Sequence, residues 1–539
     1  MRNKIIISSW MICVFASNTF AQKNLSEQVN VVRPYKPILA EAVKINTNPE
    51  IKFEQTGKNN PEYYFLSHRI DSNIKLNPIT AEKMKNESIA KLYPYYIRLG
   101  GGNYKTSYFE AWANNMRSRE WVLSAHYLHR ASAASSSSND HRDLSDNVLN
   151  AYAKRIYAKQ TVSLSMMYDR TVNHFWGYSY KDIKVDADKI RQRYQLFGLQ
   201  SEVLSNENEN TKLKYNGRFD FYTLKDNYSS SENRFAFNTS ANYKEFESKI
   251  SLDLAKYADT LDQSNNLFAM ENLMHLKEAG IDINVGFNLY NQSGTNNSFH
   301  IYPNVSASYV LEDFDAKVFA GLKGGIRKNS LRNMYVENPF IRNNIDIQNT
   351  NEKINLYAGL RGRIDAKNSY QVQINYLKTD NEMYYLADGN SDTITRFYAI
   401  YDGPNASEFQ LNVYYSHQSS EKLRINAGLE YRNFNTDTLL QALFKPNTRA
   451  SISAEYNIGN KFLIESELYS YSKMFAADQF GIRKELDGGI DLNFGIDYRY
   501  SKMISVYLNL NNVLNYKRER YMYYQGFGFQ ALLGASFRF

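Results

Sequence analysis

The sequence has 539 residues and a formal net charge of +8, and 43% of its residues are hydrophobic. Its basic residues are scattered rather than clustered, which excludes a nucleic-acid-binding protein. The 44 Tyr and 30 Phe, against 10 Pro and 1 Cys, are unusual for a soluble enzyme and typical of a membrane barrel with aromatic girdles. No run of about 18 apolar residues follows residue 21, so we predict no transmembrane helix.

Residues 1–21 predict a secretory signal peptide. A basic start precedes the apolar stretch Ile5–Ala16, which is too short to span a bilayer as a helix, and small residues lead to a predicted cut after Ala21. The single cysteine, Cys13, lies inside this segment. We therefore expect neither a disulfide nor thiolate chemistry in the mature chain.

Residues 22–93 predict a short extended segment in the periplasm or the lumen. Pro34 and Pro37 fix an extended backbone, and the neighbouring Arg33 and Tyr35 complete a set of candidate partner contacts. One interpretation is a tether that engages a partner, and the other is a plain leader to the first strand. The residues favour neither.

From about residue 94 to residue 539 the sequence alternates between apolar and polar residues, the period of a β-strand with one apolar face. Clear examples are Leu423–Arg432, Ile490–Tyr500, Ile281–Tyr290 and Ile354–Arg363. Tight polar turns alternate with longer loops, an asymmetry typical of outer-membrane barrels. We predict an all-β fold: a transmembrane antiparallel β-barrel of about 22 strands, within a range of 14–22. The segment 383–402 is left as a strand pair or a hairpin rising above the membrane.

The last predicted strand, Gln530–Phe539, indicates which strand face contacts lipid and which lines the lumen. Its apolar face is expected to contact lipid, and its terminal aromatic resembles the assembly signal of bacterial outer-membrane barrels, here assigned to Phe529, Leu533, Phe537 and Phe539. The opposite faces of the strands line the lumen. Candidate lumen-facing side chains that set selectivity are Arg424, Arg432, Asp491, Asp497, Arg499 and Arg538.

No catalytic, cofactor or metal site is predicted. His126 and His129 are three residues apart on a strand, so they face opposite sides and share no metal. Glu465 and Glu467 share a face, but no nucleophile, base and orienting group stand in register. The aromatic loop around Trp176 has two interpretations, anchoring at the membrane interface, which we favour, or stacking on a sugar. We expect a protein that is not an enzyme.

The C-terminal third resembles the barrel of TonB-dependent outer-membrane receptors of the Bacteroidota, in Asn509–Phe539 and, less closely, in Asp346–Gly362. Such receptors carry a plug domain before the barrel, for which residues 22–93 are too short. Val31–Asn46 is similar to the start of plugless receptor-like barrels from the same bacteria. The resemblance implies an outer-membrane location with lipid, lipopolysaccharide and the barrel-assembly machinery as partners, and no nucleic acid.

Two functions follow from these features. The first is a receptor-like barrel that takes part in solute transport across the outer membrane. The second is a non-transporting subunit or anchor of an envelope complex, which contacts its partners through residues 22–93. A barrel this wide would leak unless it were filled. We therefore expect residues 22–93 or inward-folded loops to occlude the lumen.

Overall fold

The structure of the chain is a computed structural model. It describes residues 92–133, 141–177, 186–206, 213–278, 280–389, 394–420 and 422–539. The partner-contact candidates Arg33, Pro34, Tyr35 and Pro37 lie outside these ranges, as do residues 1–21.

A single antiparallel sheet of 22 strands closes on itself. Each strand pairs with the next along the chain, and the first strand pairs with the last, for example at Ile97 opposite Phe537. The barrel strands are β1 (Tyr95–Gly102), β2 (Thr106–Asn114), β3 (Trp121–Ser132), β4 (Leu144–Ile156), β5 (Gln160–His174), β6 (Arg191–Ser205), β7 (Leu213–Asp226), β8 (Ser231–Tyr243), β9 (Phe246–Ala258), β10 (Gln263–Glu278), β11 (Ile281–Gly294), β12 (Ser298–Leu311), β13 (Ala316–Arg327), β14 (Thr350–Arg363), β15 (Asn368–Asp380), β18 (Ala406–Gln418), β19 (Leu423–Asn435), β20 (Thr448–Ile458), β21 (Phe462–Tyr471), β24 (Gly489–Arg499), β25 (Ile504–Asn511) and β28 (Gln530–Arg538).

The remaining elements lie in the loops. Three small hairpins are formed by β16 (Met383–Ala387) with β17 (Phe397–Tyr401), β22 (Met474–Ala477) with β23 (Arg483–Leu486), and β26 (Glu519–Tyr521) with β27 (Tyr524–Gln525). Among the described residues, one α-helix spans Leu331–Glu337, and 3-10 turns span Ala187–Lys189 and Glu312–Phe314. No helix in the part of the chain that the structure describes is long and apolar enough to cross a membrane.

The predicted all-β barrel of about 22 strands is confirmed. The four alternating stretches fall in β11, β14, β19 and β24. Closure pairs the backbone groups of the edge strands, which allows a sheet to sit in a bilayer. On the outer face the apolar members of the alternating sets are exposed, as at Leu429, Tyr431, Ile490 and Leu533. This exposed apolar surface is the expected contact with lipid.

The two ends of the barrel differ. Tight turns such as 157–159, 364–367 and 459–461 join strands at one end, where β1 begins and β28 ends. Connections such as 328–349 and 381–405 stand at the other. We call these the short-turn end and the long-loop end. Short turns are periplasmic and long loops extracellular in barrels of this kind.

At the seam between β1 and β28, a tyrosine side chain packs over glycines of both strands. Tyr507 is buried on β25, and its hydroxyl donates to the carbonyl of Leu99 at 3.0 Å. A Cβ on Gly534 would lie 2.4 Å from that hydroxyl and 2.0 Å from the carbonyl oxygen of Leu99. The missing side chains of Gly534 and Gly100 therefore make room for the ring that covers the seam.

Candidate functional site: the lumen and its loop cap

Four connections at the long-loop end fold together instead of extending into solvent. They are residues 328–349, the described residues of 381–405 (381–389 and 394–405), 472–488 and 512–529, and we call them the loop cap. The small hairpins and the short helix belong to these segments. Their apolar side chains share one buried core, which includes Met334, Ile345, Phe397, Leu486 and Met522.

The core of the loop cap continues into the barrel wall. It includes Tyr194 and Leu196 of β6, Tyr222 and Leu224 of β7, and Tyr471 of β21. In the closed ring of strands, β7 and β21 stand on nearly opposite sides. A continuous core with members from both sides crosses the mouth of the barrel, so the loop cap lies over the lumen rather than beside it.

Aromatic contacts tie the cap segments to one another and to the neighbouring connection 436–447. Phe340 stacks on Tyr524 with ring centroids 3.7 Å apart, and Phe397 packs edge-on against Phe444 at 5.5 Å. The hydroxyl of Tyr521 donates to the carbonyl of Glu337 at 2.6 Å. Buried tyrosine hydroxyls stabilise such a core only when they are hydrogen-bonded. The cap is therefore packed like a protein interior.

A buried ion cluster fastens the 381–405 segment to its neighbours. The Glu382 carboxylate lies 2.6 Å from Nζ of Lys445 and also binds the guanidinium of Arg327. Burial alone would raise the pKa of Glu382, but the charges of Arg327 and Lys445 outweigh it and lower the pKa to about 2. The carboxylate stays ionised over the physiological range and links the 381–405 and 436–447 connections to the end of β13.

A second ionic contact fastens the 328–349 segment to the wall. Nζ of Lys328 lies 2.6 Å from the carboxylate of Asp253 on β9, and both side chains are nearly buried. Burial lowers the pKa of Lys328 although Asp253 opposes the shift. Two residues farther, the helix N-cap Ser330 accepts from the Asn333 amide, and the Leu331 amide donates to Glu232 at 2.6 Å.

The expectation of anchoring at the membrane interface is wrong for Trp176, whereas Tyr178 and Tyr180 of the same aromatic loop lie outside the described residues. Trp176 packs against the cap core, with its ring centroid 5.1 Å from that of Tyr524. Its neighbour Phe175 is completely buried. An aromatic loop at the rim looks the same in sequence whether it turns out to lipid or in to a cap. Only the distant partner, Tyr524, decides between them.

The predicted lumen-facing residues lie on the strand faces opposite the exposed apolar sets. Arg432 lies 3.6 Å from Glu408 and 3.8 Å from Glu430, and Arg424 lies 3.7 Å from Glu455. Asp491, Asp497 and Arg499 share the polar face of β24, and Arg538 lies over the Tyr96 ring of β1 at 5.6 Å. These residues lie on β19, β24 and β28, in one part of the wall, and they form no single site.

The residues assigned to the assembly signal lie on or beside β28. Leu533, Phe537 and Phe539 are exposed on its outer face, and Phe529 precedes the strand. Phe539 also packs against Tyr95 with ring centroids 5.3 Å apart. Their positions suit contact with lipid, and their role in assembly stays a prediction.

His126 and His129 contact different residues. His126 lies 3.1 Å from Glu110 and stacks on Trp112 at 3.8 Å, whereas Nδ1 of His129 lies 2.8 Å from Asn147. Among the described residues no group of three His, Cys, Asp or Glu side chains has the arrangement of a metal site.

Comparison with known proteins gives structural matches only. No family model matches the chain, and no curated protein matches it. The FrpB iron transporter from Neisseria meningitidis (F3-3 variant) is similar with a TM-score of 0.65 at 10% identity, over 84% of this chain and 82% of that one. The siderophore receptor PiuA from Acinetobacter baumannii has a TM-score of 0.62 at 10% identity, over 84% of this chain and 82% of that one. The ferric-catecholate import receptor Fiu from E. coli K12 has a TM-score of 0.60 at 10% identity, over 83% of this chain and 82% of that one.

The matched proteins are receptors and transporters, not enzymes. At this identity the likeness establishes the fold, which is that of a large outer-membrane barrel. A closed barrel of 22 strands with an apolar outer face places the chain in a bacterial outer membrane.

Proposed function

We propose that this chain is a receptor-like barrel that takes part in solute transport across the outer membrane, with its outer mouth closed by its own loop cap. The observation that carries this is the shared core that joins loop segments to opposite walls of the barrel. Barrels of 22 strands are wide enough to need a filled lumen. Closure by loops supplies a barrier that opens when the loops separate.

The polar faces of the strands support a wet passage beneath the cap. Six charged side chains are proposed to set the selectivity of that passage: Arg424, Arg432, Asp491, Asp497, Arg499 and Arg538. Charges of both signs alternate there, and several pair across strands, as Arg432 does with Glu408. Such a lining favours hydrated polar solutes over apolar ones. The lipid surface, lipopolysaccharide and the barrel-assembly machinery are proposed partners of the outer face and the last strand.

Planar-bilayer recording of the purified full-length chain tests this proposal. We expect little stable conductance in potassium chloride from the intact barrel. A variant in which residues 383–401 are replaced by a short Gly-Ser linker should open large, long-lived pores. Liposomes containing that variant should also swell in stachyose, whereas liposomes with the intact chain should not.

Two outcomes contradict the proposal differently. A large stable pore in the intact chain would show that the cap does not close the lumen. A linker variant that folds but stays closed would indicate that something else fills the barrel, and would favour a non-transporting subunit of an envelope complex. Heat-dependent mobility in gels verifies that each variant forms a folded barrel.

A further inference from the structure

The outer wall carries a groove near the short-turn end, across β1 to β5. Its volume is 480 Å³, which is within the range of about 300–1,000 Å³ typical of small-molecule sites. Ala125, Ala151 and Ala153 are small residues at its floor. Bulkier side chains rise around them: Tyr95, Leu123, Leu164 and Met166.

The groove opens toward lipid. The bulky side chains around it are exposed, with 47% of Leu123, 47% of Leu164 and 43% of Met166 accessible. Register places the alanines side by side, with Ala125 opposite Ala151 and Leu123 opposite Ala153. An apolar recess in the lipid-facing wall accepts a hydrocarbon chain and excludes water.

A cationic site stands at the end of the groove. Arg155 lies on the same face of β4 as Ala151 and Ala153, and its guanidinium lies 4.8 Å from the centroids of both the Trp121 and Tyr157 rings. Cation–π contacts hold a guanidinium in place and leave its donors available. No carboxylate of the described residues forms an ion pair with Arg155.

Further charge surrounds this position. The β2–β3 turn, residues 115–120, contributes the exposed Arg117 and Arg119 against the single acidic Glu120. Trp121 begins β3 and lies two residues before Leu123 on the same face, so the groove begins roughly 5 Å deeper in the membrane than the ring of Trp121. Trp and Tyr at such positions mark the headgroup level.

We propose that this groove is a binding site for an anionic glycerophospholipid of the periplasmic leaflet. One acyl chain would lie over Ala125, Ala151 and Ala153, and the phosphate would meet the guanidinium of Arg155 between its two rings. Arg117 and Arg119 add charge complementarity at the same level. The position at the short-turn end selects a phospholipid of that leaflet over lipopolysaccharide of the opposite one.

Native mass spectrometry of the full-length chain tests the site. The barrel in mild detergent is mixed with equal amounts of phosphatidylglycerol and phosphatidylcholine of the same chain length. We expect preferential retention of one phosphatidylglycerol. Arg155→Gln should reduce that preference about fivefold, the effect of one arginine at an anionic headgroup. Ala151→Leu, which fills the floor, should reduce retention of both lipids.

Matched variants separate a site from general lipid contact. Arg363→Gln removes an exposed arginine near another turn at the short-turn end, and Ala320→Leu enlarges an exposed alanine on β13. Both should leave lipid retention unchanged. Equal retention by Arg155→Gln and Arg363→Gln would overturn the proposal. Preferential retention of lipopolysaccharide at the groove would overturn the assignment to the periplasmic leaflet.

Discussion

The wall of the barrel and the loop cap are built by opposite rules. In the wall, each strand contacts its sequence neighbours, the outer face is apolar, and buried tyrosines such as Tyr507 cover glycines. In the cap, contacts join residues far apart in sequence around an aromatic core. The wall is therefore specified locally and has to persist in a membrane. The cap depends on few segments, and none of its small hairpins is part of the barrel sheet.

The largest effect is expected in the wall. Gly534→Ala places a Cβ 2.0 Å from the carbonyl oxygen of Leu99, so the seam has to shift to accept it. We expect little or no closed barrel, measured as loss of heat-modifiable mobility and of outer-membrane assembly. Gly217→Ala is the matched control because no atom lies within 4 Å of its Cβ. Normal assembly of Gly534→Ala would show that the seam is not closely packed there.

The next effect separates the cap from the wall. Phe397 is completely buried and packs against Phe444, Tyr521 and Tyr524. Phe397→Ala should destabilise the cap by about 3–5 kcal/mol, the usual cost of such a core truncation. Conductance should rise while heat-modifiable mobility stays normal. Phe299→Ala, a substitution on the exposed outer face, should change neither the stability of the cap nor the conductance. If Phe397→Ala abolished barrel formation, the two regions would be one cooperative unit.

A pH-dependent effect is expected at the ion cluster. The pKa of Glu382 is lowered to about 2 in the folded cap, against about 4.3 in an unfolded chain. Its stabilising contribution is complete above the unfolded value and is lost as pH falls through about 2. Open events in single-channel recordings should therefore become more frequent between pH 4.5 and pH 2.

Glu382→Gln checks the assignment of this pH effect. The neutral amide leaves Arg327 and Lys445 without their shared carboxylate, so open events should be frequent already at pH 7. The added response between pH 4.5 and pH 2 should disappear. An unchanged acid response in this variant would place the titrating group elsewhere.

The smallest effect is expected at the short-turn end. Arg363 and Asp315 lie 2.8 Å apart, but both side chains are more than half exposed. Exposed pairs of this kind contribute about 0–1 kcal/mol. Arg363→Ala should leave both conductance and the free energy of unfolding in urea nearly unchanged. A large loss in the free energy of unfolding would mean that the short turns stabilise the wall as strongly as the aromatic core stabilises the closed cap.

The wall could be predicted from sequence because a strand shows its two faces in consecutive residues. Leu423–Arg432 alternates without a break, and it forms most of β19. The strand number followed from repetition of this pattern and from the alternation of short and long connections. Within the segment 383–402, β16 and β17 form a hairpin that is not part of the barrel wall, one of the arrangements the sequence left open, and this hairpin packs into the cap.

The cap could not be predicted because its partners are distant in sequence. Tyr521 binds the carbonyl of Glu337, and Tyr524 binds that of Thr395. No local period records such contacts. The signal available was the density of aromatic residues in the long loops, which a membrane girdle explains equally well. The error at Trp176 has this origin.

The pairing of β1 with β28 also constrains how the molecule is made. The backbone amide and carbonyl of Tyr95 exchange hydrogen bonds with those of Phe539, each at 3.1 Å. The ring of strands therefore closes only when β28 meets β1, the strand that precedes all the others in chain order. Until then every intermediate carries two unpaired edges, so the chain has to be kept unfolded through synthesis and export before it closes.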